Sequence, residues 1–301
     1  MTDNISIIGS NKSKNAVEKS MNIIFFVCGL AAVVCVICMT VYMIISGWPA
    51  IAKIGVFRFL FGQVWSPENS EFGIFPMILA SFIATFSAIF LALPVGVLVA
   101  VFLAKLTPKR VSAPFRTLID LLAGIPSVVY GLLGAILIVP LIFKLQTAAG
   151  LPQGGSLLAA VIILVIMILP TIISVSETAI RAVPKQYEDA SLALGSTKLQ
   201  SIFRATVPAA KSGIVAGMVL GVGRAIGEAM AVMMVAGNAA IMPEFLKPVR
   251  LLTASIPIEW AYSSGLHREA LYGIGLVLFI FIMIINISLN TVLKKGGELR
   301  G

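Results

Sequence analysis

Six apolar runs, each long enough to cross a bilayer, leave this chain few folds to choose from. They lie near Met21–Gly47, Ile74–Ala104, Thr117–Phe143, Ser156–Ile180, Gly213–Asn238 and Ala270–Leu293. A spanning helix needs about 20 apolar residues. Only 12% of the residues are charged, roughly half the share of an ordinary soluble domain. A core built in water does not account for that balance. The expectation is an all-α membrane protein with six transmembrane helices, the sixth returning the chain to the side where it began.

Lys and Arg set the orientation. With the N-terminus placed inside, fifteen of the 22 basic residues fall on inner segments and six on outer ones, and Arg224 alone sits within a span. Both termini are then expected in the cytoplasm. The net charge of +9 reads as a topology signal, and nucleic acid is excluded as a partner. Residues 1–20 read as a disordered tail. The run at 21–47 is an uncleaved first span, too long for a signal-peptide core. Cys28, Cys35 and Cys38 fall within it and read as buried, reduced thiols. An outer loop at 48–73 carries Trp48 and Trp65, suited to the interface. Gly124-Ile125-Pro126 and Gly131 predict a break or kink in the third span near Pro126. The outer segment Ala239–Glu269, with Pro243, Pro248 and Pro257, is expected to dip back against the bundle. Residues 294–301 form a second tail.

Between spans four and five the chain does more than turn. The stretch Arg181–Lys211 reads as helix, glycine, helix over residues 184–206. Pro184 suits a helix start. Tyr187, Ala190 and Leu194 then share a face, and Gly195 suits a helix stop. Thr197 with Gln200 resembles a capping box, and Pro208 marks the approach to the fifth span. A folded insert of this kind suits a docking surface; the alternative is a solvated amphipathic loop.

Few charges sit among the apolar runs. Arg224 and Glu228 lie four apart in the fifth span and are expected to pair, since an isolated charge there costs about 2.5–3.5 kcal/mol. Gly213, Gly217 and Gly221 fall on the same side, a face suited to close helix packing. The pair reads either as part of an anion path, with Arg224 offering a donor fork, or as a structural ion pair at a subunit seam. Asp120 with Arg116, and Glu177 with Arg181, read as local i, i+4 pairs. His267, the only histidine, reads as solvated or hydrogen-bonded. No catalytic constellation or metal site is present in the sequence.

On these residues the chain resembles the permeases of type I ABC importers, a MetI-like fold. That family carries Glu-Ala-Ala, a glycine four residues later and a Leu-Pro pair. Here Asp189-Ala190-Ser191, Gly195 and Val207-Pro208 stand in those places, with Asp for Glu and Ser for the second Ala. The runs Asp120–Gly131, Gly223–Ala231 and Ser264–Leu271 are similar to those of the phosphate importers within the family. The resemblance implies a phosphate-binding receptor, a homologous permease subunit and an ATPase dimer as partners. It implies coupling through Glu188, Asp189, Ala190, Gly195 and Pro208, and adds Asp120 to Arg224 and Glu228 as a path residue. The chain has no phosphate-binding loop, so ATP and magnesium would be bound by the ATPase and no cofactor by this chain. The rival readings are an importer of another oxyanion, such as molybdate or sulfate, and an ion-coupled secondary transporter or channel.

Overall fold

A computed structural model describes residues 12–298, and within them the chain is almost wholly helical. Of the two expected tails, residues 1–11 and 299–301 lie outside the described residues. The rest of each is helical. Helix α1 (Lys12–Ile54) starts well before the first apolar run. It also runs past Trp48 and Pro49 into the expected outer loop, to end at Gly55, whose φ of 90° is open to glycine and strained for other residues. A short α2 (Val56–Phe61) follows. Next comes a two-stranded hairpin, β1 (Trp65–Ser66) and β2 (Glu71–Phe72), paired Trp65 to Phe72 and Ser66 to Glu71.

The second span is α3 (Phe75–Val101), which ends in a five-residue π turn, Phe102–Leu106. Pro108 then opens α4 (Lys109–Gly124), an amphipathic helix exposed along most of its length. The expected third span began at Thr117; instead Ile125-Pro126 separates α4 from α5 (Ser127–Leu133). A proline disfavours helical geometry in the residue before it, and of the expected break or kink at Pro126 it is the break that forms. Span three is α5, a π turn (Gly134–Ile138) and α6 (Val139–Ala148). Tyr130 bridges the break, its hydroxyl donating to the Leu122 carbonyl at 2.7 Å.

Helix α7 (Leu157–Ala182) is capped by Ser156 and forms the centre of the chain. It packs against α3 on one side and α11 on the other, with α4 beside its end. Its insert follows: α8 (Lys185–Ala193), α9 (Lys198–Ser201), a π turn (Ile202–Thr206) and α10 (Val207–Ala209). The chain bends by 67° on passing from Lys198–Ala209 into α11 (Lys211–Gly227). Helix α12 (Met230–Val235), α13 (Leu252–Glu259) and α14 (Gly265–Glu298) complete it. Among the described residues five helices are long and apolar enough to span, and the bent pair supplies a sixth.

The segment 239–251 folds back as expected. Leu157 and Leu158 donate to the carbonyls of Lys247 and Phe245 at 3.1 and 2.8 Å, and most of α13 is buried. His267 is hydrogen-bonded: its Nε2 lies 2.7 Å from Glu259 Oε2, with Arg250 on the same carboxylate and Trp65 Nε1 donating to it at 2.9 Å. This cluster ties the hairpin to α13 and α14. The three cysteines do not follow expectation. All are exposed on the surface of the chain, because α1 packs mainly on α14 and its other faces have no intrachain cover.

Candidate functional site

The insert is built from local signals. Pro184 sits one position ahead of α8 as its cap. At the far end Gly195 adopts φ 85°; its N–H donates to Leu192 O at 2.9 Å, and the Ser196 N–H to Ser191 O at 3.4 Å. That pair of bonds is a Schellman closure, which needs a left-handed residue where Gly195 stands. Ser191 and Ser196 hydroxyls, 2.8 Å apart, brace the turn. The capping box forms: Gln200 N–H donates to Thr197 Oγ1 at 3.3 Å and Thr197 N–H to Gln200 Oε1 at 3.0 Å.

What the insert presents is unusual for a solvated loop. Leu194 is 90% exposed, and Tyr187, Leu192 and Leu199 are exposed with it. Asp189 and Ala190 are also exposed, whereas Glu188 is half-buried and paired with Lys105 at 2.8 Å. Pro208 lies in α10, at the bend into α11. Exposed apolar side chains beside charges suit a surface that meets another protein or a membrane.

Behind the insert, α11 lies close on α7. A Cβ at Gly213 would stand 2.3 Å from Ala179 Cβ; at Gly217 and Gly221 it would stand 3.2 Å from Val175 and 3.1 Å from Ile172. The three glycines therefore set the spacing of two helices within this chain.

Arg224 and Glu228 do not pair. Helix α11 ends at Gly227 and Glu228 is extended, with ψ 121°, so the i, i+4 register that would bring them together is lost. The Glu228 carboxylate turns instead to accept from the Ala231 N–H at 2.8 Å, capping α12. Its own carbonyl accepts from Thr253 Oγ1 at 2.8 Å, anchoring α13. Arg224 is left half-exposed, its Nη1 3.4 Å from Thr171 Oγ1, and it takes part in none of the ion pairs of the described residues.

Asp120 loses its expected partner as well. Arg116 reaches Glu177 at 2.9 Å, and Arg181 holds the same carboxylate at 2.8 Å. Glu177 is 2% exposed; a carboxylate so buried draws counter-charges more strongly than an exposed one. The exposed Asp120 lines a cavity of about 400 Å³ with Ala113, Arg116, Ile119, Ser174 and Glu177. Ser174 is one helical turn from Thr171. The structure thus sets Arg224 beside Thr171 and Asp120 in the cavity beside Ser174, both next to α7, and turns Glu228 to α12. Thr171 and Ser174 were not singled out in the sequence: hydroxyls in an apolar helix carry no pattern until α11 is laid beside them. Among the described residues no group of three or more His, Cys, Asp or Glu could hold a metal.

Both the sequence and the fold have known relatives. Residues 92–295 match the family described as binding-protein-dependent transport system inner membrane component. The chain is 34% identical over 290 residues to a probable ABC transporter permease protein, YqgH, of Bacillus subtilis, covering 93% of each. It is 33% identical over 278 residues to the phosphate transport system permease protein PstC of Pasteurella multocida, covering 85% of this chain and 86% of the other. Among solved structures, a bacterial alginate ABC transporter superposes with a TM-score of 0.60 at 13% identity, over 92% of this chain and 94% of the other. The MetNI methionine ABC transporter in an inward-facing form gives 0.53 at 20% identity, over 74% and 94%.

Proposed function

The chain belongs to the family of binding-protein-dependent transport system inner membrane components, and on that premise we propose that it is the membrane permease subunit of an ATP-driven importer of inorganic phosphate. A homologous permease subunit completes the path, an ATPase dimer drives it, and a phosphate-binding receptor loads it. ATP and magnesium belong to the ATPase. The insert and both termini lie in the cytoplasm of the bacterial cell, in keeping with the distribution of Lys and Arg.

The observation that carries the mechanism is the helix–Gly195–helix insert, with Leu194 90% exposed at its tip. Docking through Glu188, Asp189, Ala190, Gly195 and Pro208 would cover those side chains. ATP binds the closed and open ATPase arrangements with different affinity, and the insert passes that difference to the spans. Phosphate as the substrate is favoured by relatives named phosphate transport system permease protein PstC, two of them 33% identical to this chain. Chemistry supports an oxyanion: Arg224 is a guanidinium in the last turn of α11 with a hydroxyl neighbour and, among the described residues, no carboxylate paired with it. Glu228 serves this site from behind, by fixing the break after α11. Asp120, in the cavity beside Ser174, would keep an anion from being held too tightly.

Uptake of labelled phosphate by cells carrying the complete complex tests the substrate. Excess unlabelled phosphate should abolish the signal, and sulfate or molybdate should leave it unchanged. Equal competition by molybdate would favour the other-oxyanion reading.

A further inference from the structure

The insert is gripped by the end of the second span through the docking residue Glu188. Lys105 Nζ lies 2.8 Å from the Glu188 carboxylate, and the two side chains are only 14% and 17% exposed. Lys105 stands in the π turn Phe102–Leu106 that ends the span. A π turn holds one residue more than an α turn, so residues beyond its start are swung by about 100° around the helix axis. The same turn is fixed to α7, where Arg181 Nη2 donates to Leu103 O at 2.7 Å. Arg181 is held by Glu177, and Glu177 by Arg116 of α4. On the insert side, Ser201 Oγ donates to the Glu188 carbonyl at 3.1 Å, immediately before the π turn Ile202–Thr206. Polar contacts therefore run unbroken from α4 through α7 and the end of α3 into the insert, and Glu188 is the residue gripped from both sides.

The covalent link from α7 to the insert is a poor lever. Val183 and Pro184 are extended, and a hinge there would absorb a displacement of α8 before it reached α7.

We propose that Lys105 is a positioning residue for transport: it clamps the insert to α3 so that the two move as one body through the cycle. The proposal rests on the reading of the insert as the ATPase dock. In the assembled complex in lipid vesicles, Lys105→Met should retain the ATPase while phosphate moved per ATP hydrolysed falls about tenfold, the range of an ordinary coupling energy. Lys105→Arg, which keeps the charge and reach, should stay near the unaltered ratio. With Cys28, Cys35 and Cys38 replaced by Ala, Lys105→Cys and Glu188→Cys joined by a bifunctional thiol reagent should transport more per ATP than the same pair left unjoined. An unchanged ratio in Lys105→Met with the ATPase present would overturn the clamp and leave the dock standing. Loss of the ATPase from that variant, or arrest of transport by the crosslink, would also overturn it. Failure of the unaltered chain to hold an ATPase would remove the dock, and the clamp with it.

Discussion

Arg224 and Glu228 show how much a single backbone break decides. Four residues apart on a continuous helix, they would neutralise each other. Separated by the turn after Gly227, one caps α12 and the other keeps its charge available. Removing that charge should stop transport without dismantling the complex: Arg224→Gln is expected to lower phosphate uptake by ~100-fold or more, as loss of a charge-stabilising donor does elsewhere, while the subunits still purify together. Loss of assembly would instead identify Arg224 as a seam residue. At this scale the sequence was only half legible. The charges themselves were plain, but their partners were tertiary. Arg116 has Asp120 on its own helix face and still goes to Glu177, which is buried and reached across 61 residues. No local spacing encodes that choice.

Helices and turns were easier to read where a side chain closes its own neighbourhood. Thr197 with Gln200 and Gly195 specify their bonds within a few residues, and the insert formed as expected. Elements shaped by distant packing were harder. The start of span three was misplaced because the apolar run continues through α4, and only the Ile125-Pro126 break ends that helix. Two glycine contrasts follow. A Cβ at Gly195 meets nothing within 4 Å, so the side chain of Gly195→Trp leaves the backbone into open space. It should insert normally, keep ATP hydrolysis and lose phosphate uptake. Gly195→Ala carries the same left-handed strain of about 1–2 kcal/mol and should retain most uptake. Normal uptake by the Trp variant would speak against docking. At Gly213, by contrast, the Cβ already meets Ala179 at 2.3 Å, while at Gly223 it meets nothing within 4 Å. Gly213→Leu should lower stability by at least ~1–3 kcal/mol through overpacking, and Gly223→Ala should be near neutral, as read from thermal unfolding of the purified complex.

For the whole molecule, hydropathy gave the number of spans, because hydrocarbon thickness imposes a length that no other context supplies. It could not show that the fifth is bent by 67° at Ala210. Nor could it show that the hairpin, α13 and α14 are drawn together on the Glu259 carboxylate by Trp65, Arg250 and His267. Those contacts join residues as far as 194 apart. The resulting body has a central α7, with Arg224 and Asp120 beside it, and an insert that exposes Leu194 at its tip. On the proposed function, such a chain moves phosphate only when an ATPase works on it from that end. Reconstitution into vesicles separates the possibilities, with labelled phosphate followed for the chain alone and for the chain with its partner permease, receptor and ATPase. No flux is expected from the chain alone, and ATP-dependent accumulation from the full set; phosphate flux through the chain without an ATPase would overturn the proposed function.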